Sequence, residues 1–310
     1  MNIKTNLEYF KMSIENKESL DVRYMSLELH ESLDEMVETT KEIKELLITI
    51  KRLKLNNMPT SQFYEQLRPL ILSDLGSKNE FNGFINACDS AISTIKANPE
   101  TFEQIVNLYL ENRDISDHTP REWIQAFIDK GSQRSLGVIG EKKVIEIAEE
   151  HGFVFAPTSE MFFNHKYAVT NYTSGIKKQI DSNLNFGSQN KNLDIIFKIN
   201  DNYVFLEAKH IKESGGAQDK QIKELIGLMN LDLPPNIFVI SFMDGVYSNH
   251  LLDISEDNIN NPDTIIRGGN MTKIRRQRYE IVNSLKTFNN VYWVNTYGLQ
   301  ELISDMIEEE

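Results

Sequence analysis

Two short runs carry the residue types on which chemistry can be built: Asn192-Leu193-Asp194-Ile195-Ile196-Phe197, then Phe205-Leu206-Glu207-Ala208-Lys209-His210. Both read as β-strands. Successive strand side chains alternate between faces, so Leu193, Ile195 and Phe197 are expected on one face and Asp194 on the other. In the second run Leu206 and Ala208 share a face, while Glu207 and Lys209 stand together on the opposite one. Between the runs, Asn200-Asp201-Asn202 is turn chemistry that would close a hairpin. That pairing sets the Asp194 and Glu207 carboxylates side by side, with Lys209 one pleat further along. Carboxylates this close repel unless a cation lies between them, and oxygen-only ligation suits Mg²⁺, with Mn²⁺ able to substitute. A cation held there would neutralise a phosphate oxygen and acidify a water. The Lys209 ammonium would orient or deprotonate that water and stabilise the pentacovalent transition state. The backbone carbonyl of Ala208 is expected to complete the metal shell. Phosphodiester hydrolysis is the chemistry these parts suit.

The elements around the two runs must hold them in place. Upstream, residues 137 to 148 read as an amphipathic helix with Val144, Ile147 and Ala148 on its apolar side. Downstream, Gly215-Gly216 opens a polar-faced helix through Ile226, and Phe238 to Gly245 reads as a third strand ending in a turn. In the order helix, hairpin, helix, strand, roughly residues 130 to 250 resemble the PD-(D/E)XK nuclease superfamily, whose signature is an Asp, a spacer and Glu-X-Lys on a hairpin. The match reads Leu193-Asp194…Glu207-Ala208-Lys209, with Leu193 standing where the family has a proline that contributes no ligand. The resemblance implies an α/β (α+β) fold with a restriction-endonuclease-like mixed sheet flanked by helices. It also implies a further acid on the preceding helix, a position that Glu141 matches. Ser214 to Asp219, Asp244-Gly245-Val246-Tyr247, the Tyr292-Trp293-Val294-Asn295 strand and the Leu299 to Ile303 helix are similar, more narrowly, to type II restriction endonucleases. That narrower resemblance implies Mg²⁺-dependent cutting of both strands of duplex DNA at a short specific sequence, leaving 5′-phosphates. It further implies a homodimer on a palindromic site, a cognate methyltransferase acting on the same site without a stable complex, and a prokaryotic cytoplasm.

Duller roles stay open for each residue. Asp194 could be a surface acid on an edge strand, and Glu207 with Lys209 a solvent-facing pair. Glu141 could serve only as a first-turn glutamate favoured by the helix dipole. Gln218 and Gln221 could meet the scissile phosphate or an adenine edge, or only water. His210 should point away from Lys209 and pack. Lys212 is a candidate phosphate contact in the loop after the strand. From Arg267 to Arg278 the chain carries no acid, and Arg267, Lys273, Arg275, Arg276 and Arg278 could divide between guanine edges and phosphates, or form a basic surface helix. Lys177 and Lys178, in a region read as a loop, and Arg134 with Ser135 complete the candidate DNA contacts. Two other functions also stay open: a repair or junction-resolving nuclease of the same superfamily, and a catalytically inactive DNA-binding module.

At 310 residues and 40% hydrophobic content the chain can bury more than one core. Its net charge of −13 speaks against indiscriminate nucleic-acid binding and leaves room for a local basic cleft. Residues 1 to about 115 read as helical, with an amphipathic run from Leu27, Leu29, Leu33 and Met36 through Leu53 and breaks near Gly76-Ser77-Lys78-Asn79 and Asn98-Pro99. Turn composition from Asn112 to Pro120 sets the expected boundary: an N-terminal all-helical domain over 1–118 and a catalytic and DNA-recognition domain over 119–310. Thr119-Pro120 reads as the start of the next helix. No apolar run approaches a membrane span and no charged-then-apolar leader opens the chain, so export is not expected. A single cysteine, Cys88, excludes an internal disulfide and a cysteine zinc cluster, and the six histidines show no His-X-X-X-His spacing.

Overall fold

The structure, a computed structural model, describes residues 3–24, 33–74, 81, 84, 88, 95, 98–118, 121–131, 136–187, 191–213, 215–267 and 270–307. Two compact units emerge, one from residues 25–135 and one from 1–24 together with 136–310. The expected boundary at 118/119 therefore moves, at both ends of the helical region. Residues 113–118 do form a loop, but the helix after it stays with the helical unit, and the first helix of the chain belongs to the other unit. That first helix is α1 (Asn6–Glu15).

In the helical unit, α2 (Leu33–Leu55) buries Val37, Ile43, Leu47 and Ile50, one stripe at helical spacing. Helix α3 (Ser61–Pro69) ends at a proline that cannot donate to the ladder, and the chain continues as a π turn over Leu70–Asp74. The break foreseen at Asn98-Pro99 is the start of α4 (Pro99–Asn112): Asn98 Oδ1 accepts from the Glu100 and Thr101 amides at 3.1 and 3.2 Å. Tyr64, Leu67, Phe102, Val106 and Tyr109 close a core over the α2 stripe. Helix α5 (Arg121–Gly131) sets Ile124 against Leu33 and Val37, and this is why the boundary does not fall before it. Leu27, Leu29, Gly76 to Asn79, Thr119-Pro120, Arg134 and Ser135 lie outside the described residues.

The second unit is α+β. After α6 (Leu136–Glu150) come β1 (Val154–Phe155), α7 (Ser159–Asn164), β2 (Tyr167–Thr170) and α8 (Thr173–Ile180). The stretch around Lys177 and Lys178, read as a loop, is thus helical. Then follow β3 (Ile195–Ile199), β4 (Asn202–His210), α9 (Gly216–Leu228) and β5 (Ile237–Asp244). Short helical turns between Val246 and Ile266 lead to α10 (Lys273–Thr287), β6 (Val291–Val294) and α11 (Thr296–Met306). The strands form one mixed sheet in the order β1 to β6, antiparallel for β2/β3 and β3/β4 and parallel for the other pairs.

Alternation along the central strands feeds two cores. Ile196, Phe205, Val239 and Trp293 pack with α9 and α10 on one face. Ile195, Phe197, Leu206, Ile240 and Tyr292 pack with α6 and α11 on the other. Helix α1 contributes to both, through Phe10 to the first and Tyr9 to the second, and packs on β6, covering an edge strand that would otherwise lie open. Each of these aromatic rings is fully buried, a contribution of about 1.5–3 kcal/mol apiece. Asn6 anchors the helix by reaching the carbonyls of Leu285, Phe288 and Val291 at 3.0, 2.7 and 3.0 Å. Among the described residues no helix is long and apolar enough to cross a membrane.

Candidate active site and metal centre

The β3–β4 hairpin closes through Asn200, whose φ of 55° is the left-handed conformation that asparagine tolerates well. Its register pairs Ile195 with Leu206, and one step further Asp194, the residue just before β3, stands opposite Glu207. Leu193 departs from the expected alternation. It joins the core on the α9 face, while Ile195 and Phe197 join the other, because Leu193 precedes the regular strand.

Glu207 is fully buried. Its Oε1 accepts from two ammonium groups, those of Lys209 and Lys191, while Oε2 is buried without a hydrogen-bond partner. Lys191 did not stand out in the sequence, since it sits in an irregular segment with no period to place it. Asp194 Oδ2 accepts from the Ala208 amide at 2.9 Å. The N–H and C=O of one strand residue open to the same side, so the Ala208 carbonyl opens to the β3 side of β4, as its amide does. Burial holds the Asp194 carboxyl above the usual carboxylate range, and the neighbouring Glu207 charge adds to this. Glu141 is raised for the same reasons, first burial and then the charges of Asp194 and Glu207. It lies in the second turn of α6, which weakens the helix-dipole account of its presence. Burial disfavours the charged form of Lys191, yet the hydrogen bond and charge of Glu207, with Glu224 and Asp194, outweigh it and raise its pKa.

An orphaned carboxylate oxygen beside a second acid held above its usual range is a donor set that fits a hard divalent cation. Among the described residues no three His, Cys, Asp or Glu side chains gather as a metal-holding group. Asp194 and Glu207 would therefore supply two side-chain oxygens and Ala208 a carbonyl, the rest coming from water and phosphate, as Mg²⁺ commonly accepts.

A second polar cluster, invisible in the sequence, supports the ends of β4 and β5. The Lys143 ammonium, almost wholly buried, lies 2.9 Å from Asp21 Oδ2, 3.0 Å from Asp244 Oδ2 and 2.7 Å from Thr296 Oγ1. Tyr24 donates its hydroxyl to Asp244 Oδ2 at 2.8 Å, and its ring stacks on His210 with centroids 3.8 Å apart. His210 Nδ1 meets Asp244 Oδ1 at 2.9 Å, so this residue points away from Lys209 and into the cluster. Burial works to raise the Asp244 pKa, but the His210 hydrogen bond and the Lys143 charge outweigh it and lower the value. Gly245 turns the chain out of β5 at φ 89°, where a Cβ would meet the Ile211 carbonyl at 2.5 Å.

The candidate DNA contacts divide sharply. Lys177 is buried, donates to the Lys191 carbonyl at 3.1 Å and lies 5.3 Å from the Phe186 ring centroid, so it is not presented to a phosphate. The Arg275 guanidinium holds the chain's own carbonyls of Ile265, Asn270 and Arg267 at 2.9, 3.2 and 3.1 Å. Arg278 holds the His250 carbonyl and Asp253. These two guanidiniums brace the segment they were expected to project from. Lys273 pairs with Asp219 of α9, and Arg276 with Glu280 at 2.9 Å on an exposed face. Arg267, Lys178 and Lys212 are exposed, Gln221 is half-buried, and Gln218 folds back over Gly215. No family model, curated protein or solved structure matches the chain.

Proposed function

We propose that the α+β unit is a Mg²⁺-dependent nuclease of the PD-(D/E)XK kind, a type II restriction endonuclease that hydrolyses duplex DNA at a short specific sequence. The observation that carries the reading is the buried Glu207, with Lys209 on one oxygen, no partner on the other, and Asp194 opposite it across the hairpin. Mg²⁺, when bound by Asp194, Glu207 and the Ala208 carbonyl, supplies positive charge beside a non-bridging phosphate oxygen and makes a water more acidic. Lys209 orients the attacking water and balances the charge that grows on the phosphate oxygens as the P–O bond to the 3′ side breaks. Glu141 adds negative charge that helps draw the cation in. Asp194, through the Ala208 amide, holds the start of β3 against β4 so that both acids stay in register.

The test is incubation of the full chain with a sequenced plasmid and Mg²⁺, followed by mapping of the fragment ends. Discrete fragments with 5′-phosphates are expected, and Asp194→Ala or Lys209→Ala should slow cutting by roughly 10²–10⁴-fold without unfolding the protein. Cutting by either variant at the wild-type rate overturns the reading.

A second reading keeps the chemistry and changes the target. Arg275 and Arg278, candidates for base reading, and Lys177, a candidate DNA contact, are engaged inside the fold, which favours an enzyme that reads DNA structure, such as a repair or junction-resolving nuclease. Cleavage confined to branched or damaged duplexes, with plain plasmid left intact, would support it.

A further inference from the structure

Lys191 reaches the site from outside the Glu-X-Lys signature. Its side chain is 38% exposed, whereas Glu207 is fully enclosed, so its ammonium arrives at the buried carboxylate from the solvent side. Lys209 reaches the same oxygen from along β4. Glu224 of α9 lies 3.6 Å from the Lys191 ammonium on the other side. The residue also lines a cavity of 380 Å³ together with Phe186, Lys220, Glu224 and Leu228.

One ammonium is enough to offset one buried carboxylate charge. Two ammoniums on a single oxygen do something else. They fix the rotation of the carboxylate group and leave the lone pairs of Oε2 pointing one way, without a protein donor to occupy them. We propose that Lys191 is a positioning residue, which by gripping Glu207 Oε1 together with Lys209 presents Oε2 to a divalent cation. The inference rests on the reading of Glu207 as a ligand of that cation.

The sign of one measurement separates this role from two simpler ones. A lysine acting only as a nearby positive charge repels a cation, so its removal should tighten metal binding. A lysine that only touches a DNA phosphate should leave metal binding in the absence of DNA unchanged. A positioning residue should weaken it, since partners that orient a ligand are typically worth 10–100-fold in metal affinity.

The experiment is titration of the full-length, DNA-free protein with Mn²⁺, followed by calorimetry, with circular dichroism to verify folding. Lys191→Ala should weaken Mn²⁺ binding by roughly 10-fold or more, and Lys191→Arg should recover most of it by holding the same oxygen. Lys220→Ala, on the same cavity wall, should change nothing. Unchanged or tighter Mn²⁺ binding by a folded Lys191→Ala protein overturns the positioning role while leaving the site intact. Wild-type Mn²⁺ binding that Glu207→Gln does not diminish overturns the reading of the site, and the inference with it.

Discussion

Burial pushes the acids of both clusters the same way, and their partners decide the outcome. Asp194 and Glu141 are held above the usual carboxylate range by burial first, then by the charge of Glu207 and, for Glu141, of Asp194 as well. A carboxyl raised in the folded state makes folding less favourable as pH climbs from the ordinary carboxylate range through the raised value. Without metal, that penalty grows above the ordinary carboxylate range and is complete once pH exceeds the raised value. Asp194→Asn is therefore expected to melt higher than wild type at pH 7 in chelator, and a gain on the order of 1 kcal/mol would read as about 2–4 °C in a unit of this size. The difference should close towards pH 4, and thermal denaturation across that range checks it. Asp244 has the opposite sign: its lowered pKa contributes stability at neutral pH that is lost only as pH falls below the ordinary range. Asp194, Glu207 and Lys209 were legible because strand alternation and one asparagine turn are local rules. Lys143 and Lys191 were not. Lys143 sits in a charged run that reads as a solvated helix face, and its partners lie about 100 residues away in either direction.

The same limit acts on whole elements. The helix, hairpin, helix, strand order from α6 to β5 follows from periodicity, as do β6 and α11. Strands β1 and β2 are too short for alternation to declare itself, and the α8 segment reads as a loop in the sequence because its opening Tyr172-Thr173-Ser174-Gly175 has turn composition. The acid-free stretch before and within α10 was legible as charge, but charge does not tell whether a guanidinium faces outward or grips its own backbone. Arg275 does the latter, bridging three carbonyls between Ile265 and Asn270. Its loss should be felt as stability: Arg275→Ala is expected to cost about 1–3 kcal/mol. Arg276→Ala, on the exposed face, should leave stability within about 0.5 kcal/mol. Denaturant unfolding of the two variants separates a brace from a surface charge.

For the molecule as a whole, the division between units is the feature least readable from composition. A loop at 113–118 marks a turn in the chain without saying on which side its neighbours pack, and α1 had no local reason to be assigned to the sheet. A chain of residues 119–310 alone lacks α1 and leaves the β6 edge and the contacts of Tyr9 and Phe10 open. It is expected to be insoluble or partly unfolded. Residues 1–24 joined by a flexible linker to 136–310 should instead fold cooperatively, and sedimentation with circular dichroism distinguishes the two. The position of α1 has a consequence for biosynthesis. Translation reaches this segment long before β6 and α11, which build the surface it must cover: Asn6 precedes its partner Val291 by 285 residues. The helical unit can mature while the nascent chain is still growing, whereas the α+β unit must keep Tyr9 and Phe10 waiting, exposed to chaperones, until β6 and α11 have been made.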